Sequence, residues 1–201
     1  MKLFSARTFR FLRAIVLFFL HIAHPVIRVK GRENIPDTPV ILACNHSAFS
    51  DPIFVIVCAD LPTLPRTMAK KQLLHIPVLG WLYRKLGAFP VDRDGADVAA
   101  IKTAMKTLRN GNKLLIFPEG TRIRKGKQSE PHSGTMLIAT RTQTPVLPIY
   151  LTKRKRLFRK IDLVFGEPYL PETAEKRATE QELTALSADL LNKIYRLGEG
   201  L

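Results

Sequence analysis

Short apolar runs alternate along this chain with stretches whose apolar residues recur at helical spacing, and that alternation limits the possible folds more than any other feature. The runs occupy residues 40–44, 66–69, 88–91, 113–117, 146–151 and 161–165. Continuous apolar segments of this length suit strands covered on both faces. Helical patterns fall at 52–59, 78–86, 97–110, 134–142 and 180–197. In the third of these, Val98, Ile101, Met105 and Leu108 share one helical face, and Leu183, Leu186, Leu190, Ile194 and Leu197 do so in the last. Both stripes are read as packing surfaces. Strands alternating with helices predict an α/β fold, a mixed and largely parallel sheet flanked by helices.

With 201 residues the chain can bury one sizeable core. No repeat, glycine-serine linker or low-complexity tract marks an internal boundary. Cys44 and Cys58 are too few for a disulfide framework or a cysteine metal site, so a reducing compartment is the simpler expectation.

Charge and apolar residues are unevenly placed. Lysine and arginine number 32 against 17 acidic residues, a net charge of +15. Residues 1–32 carry Lys2, Arg7, Arg10, Arg13, Arg28, Lys30 and Arg32 and no acid, around the apolar run 14–23. That run is shorter than the ~20 residues a bilayer span needs. It suits a helix lying in one leaflet with its arginines on anionic headgroups. A secretory signal would need a small-residue cleavage site, which is missing; a buried core helix is the plainer alternative. A second basic cluster, Lys153-Arg154-Lys155-Arg156 with Arg159 and Lys160, reads as a docking face for an acidic partner or as a solvated or lipid-facing patch. Net charge alone would also fit a nucleic-acid-binding protein. No nucleic-acid motif accompanies it, so nucleic acid is not expected as a partner.

The chemistry concentrates in Asn45-His46-Ser47-Ala48-Phe49-Ser50-Asp51 and in Phe117-Pro118-Glu119-Gly120-Thr121-Arg122. His46 follows the first apolar run, and Asp51-Pro52 reads as a helix start with Asp51 as cap. The imidazole therefore lies where a strand ends, the edge at which open α/β sheets bind ligands. Five positions is not one face of a helix, so His46 and Asp51 meet only if the chain between them turns. If they meet, Asp51 holds one ring nitrogen and leaves the other for proton transfer. Cys44, two residues earlier on the same strand face, is a possible thiol nucleophile, although its apolar setting favours a buried hydrophobe.

The His-four residues-Asp spacing, preceded by Asn and followed by Pro, resembles the signature of the glycerolipid acyltransferases. Gly87-Ala88-Phe89-Pro90-Val91-Asp92-Arg93, then Phe117 to Arg122, then Thr144-Pro145-Val146-Leu147-Pro148-Ile149 match further blocks in the family's order. The resemblance covers about residues 28–168. It implies an acyltransferase domain over 28–201 behind a membrane-associating segment at 1–27.

What the resemblance implies for the site is specific. His46 is the general base, Asp51 its orienting partner, and Glu119 a further catalytic-site residue that anchors either Arg122 or the glycerol hydroxyls. Arg93 and Arg122 hold the acceptor's phosphate, helped by Gly120 and Thr121; guanidinium suits phosphate oxygens. From their place after a strand-like run, Lys70 and Lys71 either add to this phosphate site or are solvated charge. The implied reaction acylates the free sn-2 hydroxyl of 1-acyl-glycerol-3-phosphate (lysophosphatidic acid), giving phosphatidic acid. The donor is acyl carrier protein or coenzyme A thioester, with no metal and no other cofactor. Another lysolipid acceptor is the alternative within the family. The implied location is the cytoplasmic face of the cell membrane, peripheral or monotopic. Many relatives carry Phe-Lys where this chain has Pro131-His132, a weaker anion ligand near neutral pH.

Overall fold

The structure is a computed structural model and describes residues 3–92, 97–120, 132–174 and 177–201. Seven strands form one sheet: β1 (Ile27–Lys30), β2 (Ile41–Cys44), β3 (Arg66–Lys70), β4 (Ala88–Val91), β5 (Leu114–Ile116), β6 (Val146–Leu151) and β7 (Ile161–Phe165). Their order is β1-β7-β6-β2-β5-β3-β4. All neighbours are parallel except β6 and β7, so β7 and β1 run opposite to the other five. The fold is the expected mixed, largely parallel sheet flanked by helices.

The apolar runs are explained by two-sided burial. In β2, Leu42 and Cys44 enter a core shared with helix α2 (Asp51–Ala59) and helix α1 (Ala6–Ala23). Ile41 and Ala43 enter the opposite core, with α5 (Val98–Arg109), α6 (Gly134–Thr142) and α7 (Glu180–Arg196). Alternate residues of a strand point to opposite faces, so a central strand covered twice tolerates no polar position. Short helices α3 (Lys71–Leu74) and α4 (Leu79–Lys85) close the β3–β4 end. The strand absent from the sequence expectation is β1. Only Ile27 and Val29 are apolar there, while Arg28 and Lys30 are exposed, so it is an edge strand with a weak signature.

Helix α1 is apolar on more than one face. Ser5 caps it by accepting from the Thr8 N–H at 3.1 Å. Phe9 is buried, and Val16, Leu17 and Leu20 pack against the α2 side of the sheet. Phe11, Ile15, Phe18, Phe19 and Ile22 form a second stripe that is exposed, Phe11 by 68% and Phe18 by 63%. The core-helix alternative thus accounts for only half of the helix. Arg13 departs from the expectation that it lies on headgroups. Its Nε donates to the Val57 carbonyl at 2.6 Å and its guanidinium pairs with Asp60 at 2.9 Å, clamping α1 to the end of α2. Among the described residues no helix is long and apolar enough to cross a membrane.

Candidate active site

Strands β6, β2, β5, β3 and β4 all point their C-terminal ends to one edge of the sheet. His46 follows β2, Glu119 follows β5, and the loop carrying Lys155 follows β6. Asn45 fixes the first of these connections. It is buried, its amide donates to the Leu151 carbonyl at 2.9 Å, and its carbonyl accepts from the Leu151 N–H at 2.8 Å. The side chain therefore extends the β2–β6 ladder by one step and sets where His46 leaves the sheet.

The chain from His46 to Asp51 turns back on itself, so the two side chains meet. His46 Nδ1 lies 2.9 Å from Asp51 Oδ2. A carboxylate can only accept, so Nδ1 carries the proton and Nε2 presents a lone pair. Nε2 has no hydrogen bond among the described residues. The ring lies 4.3 Å from the Phe117 ring with 30° between planes, which holds it against one wall.

Asp51 does not cap its helix, contrary to the sequence expectation. It is the first residue of α2, after Ser50, and its carboxylate faces the preceding loop. Oδ2 accepts from the Ser47 N–H at 2.6 Å and the Ala48 N–H at 2.7 Å besides His46. Oδ1 stands 2.5 Å from Lys155 Nζ as an ion pair. The carboxylate is fully buried. Burial alone would raise its pKa, but the hydrogen bond from His46, the Lys155 cation and the Ala48 N–H together outweigh burial and hold it below the ordinary value.

Glu119 is also buried, at 1% exposure, but differently partnered. Oε2 accepts from the His46 backbone N–H at 2.9 Å, and Oε1 accepts from the Tyr195 hydroxyl of α7. Lys153 Nζ lies 4.0 Å from the centre of the Tyr195 ring. Burial raises the carboxyl's pKa, and the bonds from Tyr195 and His46 with the charge of Lys153 offset this only in part. Glu119 therefore grips the backbone of His46; the Arg122 it was expected to anchor lies outside the described residues.

The other expected residues divide. Gly120 adopts φ +63°, the left-handed turn only glycine makes freely, and a Cβ there would meet the His132 ring at 2.0 Å. His132, the departure noted above, thus lies directly on this turn. Lys70 is exposed at the end of β3, in register with Val91 of β4. Arg93, Thr121 and Arg122 lie outside the described residues. A cleft of ≈ 810 Å³ opens at the β4 end, bordered by Lys71, His75, Arg84 and Asp92; His46 does not line it. Among the described residues no group of three His, Cys, Asp or Glu side chains is placed to hold a metal.

Burial bears out the reading of Cys44 as a buried hydrophobe and removes one lysine from the basic cluster. Cys44 is fully buried, and burial first of all, then the Asp51 carboxylate, pushes its thiol well above the ordinary value; it is poorly suited to serve as a thiolate nucleophile. Within the basic cluster expected to face a partner or lipid, the Lys155 side chain is buried on Asp51, while Lys153, although its Nζ lies over the Tyr195 ring, stays exposed and Lys160 is half-buried beside Asp162 at 3.2 Å. Arg154, Arg156 and Arg159 remain exposed. Lys155 and Tyr195 are thus site residues that no local pattern assigned to the site, and Asn45, part of the motif, has a role the motif did not show.

A base with a held tautomer at a strand end, beside a carboxylate gripping its backbone, can take a proton from a hydroxyl. The sequence is similar to known proteins along nearly its whole length. The family model described as Acyltransferase matches residues 26–152. The 1-acyl-sn-glycerol-3-phosphate acyltransferase of Bacillus subtilis is 33% identical over 184 residues, covering 85% of this chain and 91% of that one. The protein of the same name from Borreliella burgdorferi is 35% identical over 162 residues, covering 79% and 64%. The crystal structure of the 1-acyl-sn-glycerophosphate acyltransferase PlsC from Thermotoga maritima superposes with a TM-score of 0.68 at 26% identity, over 91% of this chain and 76% of that one.

Proposed function

Because the chain belongs to the acyltransferase family, we propose that it acylates the sn-2 hydroxyl of 1-acyl-glycerol-3-phosphate, using an acyl thioester of acyl carrier protein or coenzyme A. The observation that carries this reading is the His46–Asp51 pair at the β2 end, with Nδ1 held at 2.9 Å and Nε2 left for the substrate. The hydroxyl's proton passes to Nε2 as its oxygen attacks the thioester carbonyl. The tetrahedral intermediate then expels the thiolate, the C–S bond breaks, and the imidazolium returns the proton to sulfur. Asp51 stabilises the imidazolium in between. Direct transfer needs no acyl-enzyme, which accords with the burial of Cys44.

The acceptor's phosphate falls to Arg93 and Arg122 in this reading, with Gly120, Thr121 and Lys70 around it. Glu119 serves by holding the His46 backbone. Relatives named for a glycerophosphate acceptor support that substrate class.

Membrane association belongs to the same proposal. The exposed stripe of α1 continues into Val26 and into Leu157 and Phe158 on the β6–β7 loop, exposed by 68% and 72%. The Phe158 N–H donates to the Ala23 carbonyl at 2.7 Å, so this tip is joined to the end of α1. An apolar face of this extent beside exposed arginines suits the interface of an anionic leaflet, with the enzyme on it and not through it.

Thiol release by the purified protein, with both donors against a panel of lysolipids, tests the reaction. The expected result is turnover with 1-acyl-glycerol-3-phosphate above all other acceptors; turnover only with another lysolipid would overturn the acceptor assignment. Sedimentation with anionic vesicles at low salt tests the location, and a protein that stays in the supernatant would contradict it.

A further inference from the structure

We propose that Lys155 is a positioning residue, the third member of a Lys155–Asp51–His46 chain that fixes the carboxylate on which the base depends. This deepens the reading of His46 as base and rests on it. The starting observation is a mismatch between Lys155 and its surroundings. It lies in an exposed, basic loop, flanked by exposed Arg154 and Arg156, yet its side chain is 6% exposed. Burying an ammonium costs several kcal/mol unless its partners are well placed. A lysine with no task at the site would extend into water, as its neighbours do.

The partners say what the burial secures. Nζ stands 2.5 Å from Asp51 Oδ1, donates to Ser47 Oγ at 3.1 Å and to the Thr152 carbonyl at 2.8 Å, and lies 5.9 Å from the centre of the Phe54 ring. Two of its three polar contacts are thus in the His46–Asp51 turn, and the third ties it to the end of β6. On the other side of the carboxylate, Oδ2 alone serves His46, Ser47 N–H and Ala48 N–H. With Lys155 on Oδ1, both oxygens are committed and the carboxylate cannot swing about its χ angle. Without it, one oxygen would be a buried negative charge with no cation beside it, and the group could rotate away from Nδ1. Lys155 touches neither reacting atom; its effect passes through Asp51.

A misplacement of about 1 Å at a catalytic group can cost ~10²-fold. Lys155→Met keeps the length of the stem and removes the charge; Lys155→Arg keeps a cation. In Lys155→Met, kcat for thiol release is expected to fall about 10²-fold with the acceptor's KM nearly unchanged, since Lys155 is not among the residues assigned to the phosphate. Lys155→Arg is expected to recover most of that loss. A readout independent of turnover is the downfield proton resonance of the His46 Nδ1–H bonded to Asp51. It is expected in the wild type and in Lys155→Arg, and expected to be lost or displaced in Lys155→Met.

A Lys155→Met protein with kcat and this resonance unchanged would overturn the proposal. So would a fall in kcat that Lys155→Arg does not recover and that leaves this resonance unmoved in a protein still folded by circular dichroism. Failure of the wild type to release thiol with any acceptor would instead count against the enzymatic reading, while the resonance would still decide the placement of Lys155.

Discussion

Two buried carboxylates flank His46, and the protein treats them in opposite ways. Asp51, on the α2 side of the sheet, has four donors or cations on its two oxygens and is held below its ordinary pKa despite complete burial. Glu119, on the side reached by α7, has the His46 N–H and the Tyr195 hydroxyl, and burial raises it above its ordinary value. The first must be an anion to orient an imidazole and balance an imidazolium. The second grips a backbone N–H, which an uncharged carboxyl can also do.

The largest effect expected from breaking this contrast is that of Asp51→Asn. One face of an amide is a donor, so it would confront either Lys155 or three N–H groups. Loss of one partner of a buried ion pair costs about 3–5 kcal/mol, read as a lower denaturant midpoint. Activity should fall with it, because the imidazole loses its tautomer-fixing partner.

Tyr195→Phe comes next. It removes the donor to Glu119 Oε1 in a buried site, a change worth about 2 kcal/mol. Glu119→Gln should cost less, under about 1 kcal/mol, because its carbonyl can accept from His46 while its NH₂ donates to the Tyr195 oxygen. Chemical denaturation of the two variants side by side checks the order. If Glu119→Gln proved the worse of the two, the Glu119 charge would be essential and the contrast with Asp51 would fail.

The smallest effect is in the pH dependence of stability, where the two carboxylates have opposite signs. Asp51 has a lowered folded pKa, so its contribution is complete above the unfolded value of about 3.9 and is lost as pH falls through the folded value below it. Glu119 has a raised folded pKa, so the folded state keeps a proton the unfolded state has released. Its effect is to reduce stability as pH rises from the ordinary value of about 4.3 through the folded one. Denaturation midpoints measured from about pH 3 to about pH 6 should show the acid-side slope flattened in Asp51→Asn and the opposing slope removed in Glu119→Gln.

The fold was legible in the sequence because two-sided burial writes itself as continuous apolar runs. Strands β4, β6 and β7 and helix α6 lie where the patterns place them, and the other expected elements differ by one or two residues at their ends. The edge strand β1 was not legible, since half of it faces water. At the site, His46 and Asp51 stand in one local motif, but the turn that joins them depends on Ser47 and Ala48 N–H groups that carry no sequence signature. Lys155 reaches that turn from more than a hundred residues away. Among five other cations in residues 153–160, nothing in composition singles out the one that is buried. Tyr195 likewise lies within an ordinary amphipathic helix, and only the packing of α7 against β6 brings its hydroxyl to Glu119.

The central claim, direct transfer with His46 as base, is tested most directly by thiol-release kinetics on His46→Ala and Cys44→Ala with one donor and 1-acyl-glycerol-3-phosphate. The account predicts that His46→Ala loses about 10²–10⁴-fold in kcat while Cys44→Ala keeps its turnover. Equal loss in the two variants would contradict it, pointing to a covalent thiol route in place of direct attack by the hydroxyl.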